Sequence, residues 1–172
     1  MLLLLICIIA GCKDTAEKKA DKTGTADTSK PAYAYTINKP DNWETGDPKN
    51  TALVLTSLKA FENNQLDESL SYFADSVEWK GDFMEAKLSR DSLKAMFTAL
   101  WKDIATMKIT MHDFESVISK DKKEEYVTLW YVETVTDKKG KTDSVATTND
   151  IKIVNGKIVA LDEALRHFPI KK

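Results

Sequence analysis

Cysteine, arginine and long apolar runs are scarce in this 172-residue chain, and each shortage excludes a class of protein. The two cysteines, Cys7 and Cys12, are too few for a small scaffold held by several disulfides. Arginine occurs only at Arg90 and Arg166, which leaves few side chains for bidentate phosphate recognition. The formal net charge of -2 gives no basic field to attract a polyanion, so we expect no nucleic-acid partner.

Motifs for metals, nucleotides and redox chemistry are also missing from the sequence. It contains no His-x-x-x-His pair, no Cys-x-x-Cys pair, no acidic calcium loop and no glycine-rich phosphate loop. We therefore expect no metal site and no cofactor. The residues likewise form no recognisable catalytic dyad, and the sequence alone identifies no catalytic residue.

The composition that remains is typical of one globular domain with an additional segment. Hydrophobic residues make up 42% of the chain and charged residues 30%, which provides enough apolar surface for a core. Domains cluster around roughly 100–150 residues, so one core is expected.

The chain opens with an uncharged run over residues 2–11 that is too short to span a membrane, since a spanning helix needs about 20 apolar residues. Its length and small final residues are typical of a secretory signal peptide. The letters IAGC at positions 9–12 resemble the lipobox of bacterial lipoproteins, in which the cysteine thiol is alkylated with diacylglycerol and the preceding peptide is removed. We expect a signal peptide over residues 1–11 and lipidation of Cys12. In the alternative interpretation, this run is a buried strand and Cys12 is a small core residue.

Residues 12–49 are rich in Thr, Lys, Asp, Ala, Gly and Pro, a composition that favours a flexible tether. Within it, the letters YAYTI alternate in a way that could form an extra edge strand. Lys13 and Asp14 partly resemble a signal that sends some Bacteroidetes lipoproteins to the cell surface. Lipid on Cys12 would place the protein in the bacterial cell envelope, at the outer membrane, on the periplasmic or the exposed side.

The folded domain is predicted over residues 50–172. Three helices are expected first: one begins at an Asn50 N-cap, a second begins at Asp67 and includes Phe73, and a third is capped by Ser89. A short strand is predicted at residues 77–79, between the second and third helices. Four alternating strands follow the third helix, with turns at residues 137–140 and at the pair Asn155 and Gly156.

Three stretches in this order resemble the NTF2-like superfamily, and the SnoaL-like subgroup in particular: NNQLDESLSYFADSVEW, LSRDSLKAMF and NGKIVALDE. The resemblance covers roughly residues 50–168. It implies an α+β fold, a cone of three N-terminal helices packed on a curved antiparallel sheet. The family includes isomerases, cyclases, hydrolases and non-catalytic binders. Trp79 stands near the position of the isomerase general base, so the isomerase residues do not carry over.

Large apolar side chains are the better candidates for a site, because cone mouths in this fold collect them. The aromatic set contains Trp79, Phe83, Trp101, Trp130 and Tyr131. The predicted ligand-binding residues are Trp79, Phe83, Trp101, Met111 and Trp130. Ordinary core packing is an equally good explanation of the same residues.

The titratable residues give weaker signals. His112 falls on the polar face of its strand and His167 lies past the last strand, which favours surface positions for both. Asp150, Asp162 and Glu163 lie on the final strands, where an inward carboxyl group in an apolar pocket would have a raised pKa and could act as acid or base.

Two functions follow from these patterns. The first is a lipid-anchored, non-catalytic domain that binds a small apolar ligand or a protein partner. The second is a SnoaL-like enzyme that performs acid/base chemistry on a small organic substrate; the missing dyad favours the first and leaves catalysis open. The segment YVTLWYV is apolar on both faces, which also predicts a homodimer through the sheet.

Overall fold

The computed structural model describes residues 33–38 and 42–169. The predicted signal peptide and Cys12 lie outside the described residues, as does most of the predicted tether. Residues 33–38 belong to a first unit that ends at Asn38, and they contain no helix or strand. The edge strand predicted for YAYTI is therefore not formed. Tyr33, Tyr35 and Ile37 are exposed.

The second unit contains three helices and seven strands in its described part. In chain order they are β1 (Trp43–Thr45), α1 (Pro48–Glu62), α2 (Leu66–Ser71), β2 (Phe73–Gly81), β3 (Met84–Ser89), α3 (Arg90–Trp101), β4 (Ile104–Ser119), β5 (Glu125–Asp137), β6 (Thr142–Val154) and β7 (Lys157–His167). The strands form one sheet in the order β1-β4-β5-β6-β7-β2-β3.

The helix boundaries follow from capping side chains. Asp47, not Asn50, caps α1: its side chain accepts a hydrogen bond from the Lys49 amide at 2.8 Å, and Pro48 occupies the first turn. The folded part therefore begins earlier than predicted, and β1 pairs with β4 within the segment assigned to the tether. The predicted Ser89 cap of α3 is confirmed, since its hydroxyl accepts from the Ser92 amide at 3.1 Å.

The segment between α2 and α3 differs most from the prediction. Phe73 was expected in the second helix, but it begins β2, which forms a hairpin with β3. The predicted short strand is thus a nine-residue strand. It also pairs in parallel with β7, with Trp79 opposite Leu161, so the sheet is mixed rather than purely antiparallel. The hydrogen-bonding edge of β7 is free for this strand because β7 is the last strand of the meander.

The remaining strands form the predicted antiparallel meander. The turn at Asn155 and Gly156 is confirmed, and both residues have positive φ angles (51° and 69°), as a two-residue hairpin of this kind requires. The core lies between the helices and the inner face of the sheet. Its buried members are Val54, Leu70, Phe73, Val77, Leu93, Phe97, Val127, Leu129, Tyr131, Ile151, Ile153, Ile158 and Leu161.

Candidate functional site

A cavity of about 180 Å³ lies between the helices and the inner face of the sheet. Most of its wall is apolar, with side chains from α1, β2, α3 and the last three strands. The apolar lining residues are Val54, Leu58, Phe61, Phe73, Trp79, Phe97, Leu100, Leu129, Val145, Ile151, Ile158, Leu161 and Leu165. The cavity is therefore suited to an apolar molecule. One part of its wall is polar, because four polar side chains of the sheet also line it: Tyr131, Glu133, Asn149 and Glu163.

The ladder of the sheet explains why these four side chains lie on one surface. Tyr131 and Glu133 are two residues apart on β5, so they face the same side. Asn149 on β6 is directly opposite Glu163 on β7, with Leu129 of β5 on its other side. We call the group formed by Tyr131, Glu133, Asn149 and Glu163 the polar wall.

Asn149 and Tyr131 form the one hydrogen bond between side chains of the polar wall. Asn149 Nδ2 donates to the Tyr131 hydroxyl oxygen at 2.9 Å, and both residues are buried. The other amide atom, Asn149 Oδ1, is buried without a hydrogen-bond partner in the described part of the chain. A buried acceptor without a donor is unfavourable, so this oxygen offers a contact to a bound molecule.

The two carboxyl groups of the polar wall have unusual proton affinities. Burial raises the pKa of Glu163 to about 7, and the nearby charges of Glu133 and Asp82 add to the rise. Burial also raises the pKa of Glu133. The pKa of Tyr131 is well above its usual value because of burial and the charges of Glu133 and Glu163. Glu163 can therefore accept or release a proton near neutral pH.

No positive side chain balances these acids within the described residues. The cavity lining includes no lysine, arginine or histidine. The side chains of Glu133 and Glu163 form no ion pair or hydrogen bond with another described residue, whereas ion pairs such as Lys94 with Asp67 lie on the surface.

Among the five predicted ligand-binding residues, Trp79 lines the cavity. Its ring packs edge-on against Phe97, with 5.8 Å between the ring centroids. Gly81 leaves the space that this arrangement needs: a Cβ there would lie 3.1 Å from the indole nitrogen of Trp79 and 3.8 Å from Glu163 Oε1. The indole and the carboxyl group thus face each other around Gly81.

The other four predicted residues do not line the cavity. Trp101 packs edge-on against Phe61 with 6.2 Å between the ring centroids, and it is not part of the cavity lining. Met111 pairs with Tyr131 on the ladder and packs against the core. Phe83 lies in the turn between β2 and β3 and is 89% exposed. Trp130 faces the opposite, outer side of the sheet, since its neighbours Leu129 and Tyr131 face inward. A binding role for these residues stays a prediction.

The candidate titratable residues differ in exposure: one faces the cavity and the others lie on the surface. His112 is exposed at an irregularity of β4, and His167 is exposed at the end of β7. Asp150 and Asp162 face each other across β6 and β7 on the exposed side of the sheet, and Asp150 accepts a hydrogen bond from Thr128. Glu163 is the one of the three predicted carboxylates that faces inward.

Glu133 and Asn149 line the cavity but were not among the predicted site residues, although the sequence contains a signal for both. Alternation along β5 places Glu133 on the same face as the buried residues Val127, Leu129 and Tyr131. In the same way, Asn149 on β6 lies on the same face as the buried Ile151.

The described residues contain no group of three or more His, Cys, Asp or Glu side chains that could hold a metal ion. In the same residues, no helix is both long and apolar enough to cross a membrane.

No protein-family model matches the chain, and no curated protein matches it in sequence. Solved structures do resemble it. An NTF2-like protein of unknown function from Burkholderia pseudomallei superposes with a TM-score of 0.56 at 20% identity, covering 70% of this chain and 90% of that one. An LEH-like epoxide hydrolase from M. tuberculosis superposes with a TM-score of 0.57 at 9% identity, covering 69% and 84%.

A third similar structure is that of a protein from Catenulispora acidiphila with a ketosteroid isomerase-like fold, crystallised with trimethylamine. It has a TM-score of 0.53 at 12% identity and covers 69% of this chain and 85% of that one. At these identities the similarity concerns the fold. The predicted fold class is confirmed: the domain has the NTF2-like fold, with three helices on a curved, mixed sheet.

Proposed function

We propose that this protein is a lipid-anchored component of a bacterial cell envelope whose NTF2-like domain binds a small, largely apolar molecule in its cone without transforming it. The observation that carries the binding proposal is the cavity, which has apolar walls on most sides and a polar wall on one. Such a combination orients a small ligand by its polar end and buries the rest.

A small neutral aromatic compound tests this binding role. We expect benzyl alcohol to bind the full chain, and Leu165→Trp to weaken binding at least about tenfold because the indole occupies cavity volume. Val154→Trp is the matched control, since Val154 is exposed at the end of β6 and does not line the cavity. Isothermal titration calorimetry measures both variants, and equal binding by both would place the ligand elsewhere.

A second candidate is supported by Glu163, the acid with a pKa of about 7 in the cavity wall. In this alternative the domain is a SnoaL-like enzyme, and Glu163 transfers a proton to or from a small organic substrate held against Tyr131 and Asn149. The similar structures include an epoxide hydrolase, which supports an enzymatic use of this fold. Hydrogen–deuterium exchange into small ketones, lost in Glu163→Gln, would favour this candidate over simple binding.

The membrane location is proposed from the lipobox-like letters at positions 9–12. We expect the protein from its native membrane to begin at Cys12 and to carry the added mass of acyl chains, including palmitate. Replacement of Cys12 by Ser removes the thiol nucleophile and is expected to release the protein from the membrane fraction. Intact-mass spectrometry is the measurement, and a chain that retains Met1 without lipid would contradict the proposal.

A homodimer through the outer face of the sheet is the proposed assembly. Trp130 is half-buried on this face, where its cross-strand partners are Asp113 and Thr148, and the small or apolar residues Val132, Ala146 and Ala164 lie on the same face. A second copy of the chain could cover this surface.

A further inference from the structure

The polar wall contains two carboxyl groups and no counter-charge. Glu133 and Glu163 both line the cavity, and neither side chain has an ion pair or hydrogen bond with a described residue. Proteins rarely bury a carboxylate without a partner, because the lost hydration is costly unless a charge or donor replaces it. The described part of the chain therefore supplies no group that would complete this site.

The unpartnered oxygen of Asn149 points to the same kind of group. Asn149 is 4% exposed and lines the cavity, and its Nδ2 is occupied by Tyr131, so the free atom is the acceptor Oδ1. Three acceptor groups, two of them acidic, thus face one space. A ligand that supplies hydrogen-bond donors and positive charge would match these acceptors best.

The rest of the cavity indicates what is attached to that charge. Phe61, Phe97 and Trp79 form a continuous series of edge-on ring contacts along the wall, with centroid separations of 4.9 and 5.8 Å. Aromatic faces attract organic cations and bury apolar carbon at the same time. A hydrated metal ion gains little from such walls.

We infer that the cavity selects a small organic cation, a protonated amine on an apolar body, with its ammonium group held by Glu133, Glu163 and Asn149 Oδ1. The inference rests on the proposed function, because it names the class of ligand that the same cavity binds. An ammonium group has several N–H donors, which match the three acceptors of the polar wall.

Binding of two ligands of nearly equal shape tests the inference. Benzylamine is a cation at pH 8, and benzyl alcohol is its neutral counterpart. We expect the full chain to bind benzylamine at least about tenfold more tightly than benzyl alcohol, because the charged hydrogen bonds form in a largely desolvated site. The preference should decrease at pH 5, where Glu163, whose pKa is about 7, is protonated; the charged groups that act on it are Glu133 and the exposed Asp82, and neither is cationic.

The double variant Glu133→Gln and Glu163→Gln should bind both compounds equally. Its matched control is Asp150→Asn with Asp162→Asn, which removes two acidic charges from the outer face of the same strands and should keep the preference. The control separates a local contact from the overall charge of the domain.

The other outcomes overturn one proposal or both. Binding of benzyl alcohol without a preference for benzylamine would reject the cation site and keep the apolar pocket. Absence of binding by both compounds would reject the pocket itself. Displacement of benzylamine by calcium chloride at equimolar amounts would make the acids a metal site and contradict the amine.

Discussion

Replacement of Glu163 by Gln is expected to stabilise the protein at pH 8 by about 2–3 kcal/mol and to leave its stability at pH 4.5 nearly unchanged. The reason is the environment of the carboxyl group, whose pKa rises to about 7 because of burial and the charges of Glu133 and Asp82. A glutamine fills nearly the same volume and carries no charge to desolvate.

The direction of the effect follows from proton linkage. The pKa of Glu163 is higher in the folded state than its ordinary value of 4.5, so the folded protein favours the protonated form. Below pH 4.5 the carboxyl group is neutral, so burying it costs little free energy. The free energy of unfolding then decreases as the pH rises from 4.5 through about 7. The variant lacks this loss, and its melting temperature at pH 8 should exceed that of the parent by roughly 10 °C.

Chemical denaturation at pH 4.5 and pH 8 measures this difference, with Asp162→Asn as the control. Asp162 precedes Glu163 on β7 but is exposed on the other face, so its replacement should change the free energy of unfolding by less than about 0.5 kcal/mol at both pH values. An equal effect of Glu163→Gln at the two pH values would mean that the carboxyl group is not buried in the cavity.

Substitutions at two adjacent residues on β5 should have different effects, one on stability and one on dimer formation. Leu129 is 0% exposed and lines the cavity, so Leu129→Ala is expected to lower the free energy of unfolding by about 2–5 kcal/mol through lost burial and an enlarged cavity. Trp130 lies on the outer face, so Trp130→Lys should keep the fold and convert the proposed dimer to a monomer.

Denaturation and sedimentation velocity separate these two outcomes. Phe114→Ala is the control for Leu129→Ala, since Phe114 is opposite Leu129 on β4 but 49% exposed, and its truncation should cost clearly less. Unfolding of the Trp130→Lys variant would contradict the assignment of Trp130 to the outer face. A variant that folds and assembles like the parent would contradict the dimer surface.

The fold was largely predictable because its local signals agree with its tertiary contacts. The Ser89 cap, the Asn155 and Gly156 turn and the alternation on β5 each determine a local geometry that the fold retains. The start of β2 was not predictable in this way. Phe73 fits the apolar stripe of a helix, and only its pairing with Ile158 of β7, far along the chain, makes it a strand residue.

The site was harder to predict than the fold, because one irregularity decides which carboxylate faces inward. Ile158 faces the core, and strict alternation from it would turn Asp162 inward. The register between β6 and β7 shifts at one point: Ile153 pairs with Ile158, and the adjacent Lys152 pairs with Ala160. β7 therefore has one more residue than β6 between these two pairs. This extra residue reverses the alternation and places Glu163 in the cavity. Such a bulge leaves no clear mark in the sequence.

The most direct test of this account is a pH titration of the Glu163 side-chain carboxyl group by carbon-13 NMR in the full chain. We predict a midpoint of about 7 in the free protein and a lower midpoint when benzylamine is bound, because a cation favours the ionised carboxylate. A midpoint near the ordinary value of 4.5, unchanged by the amine, would contradict it.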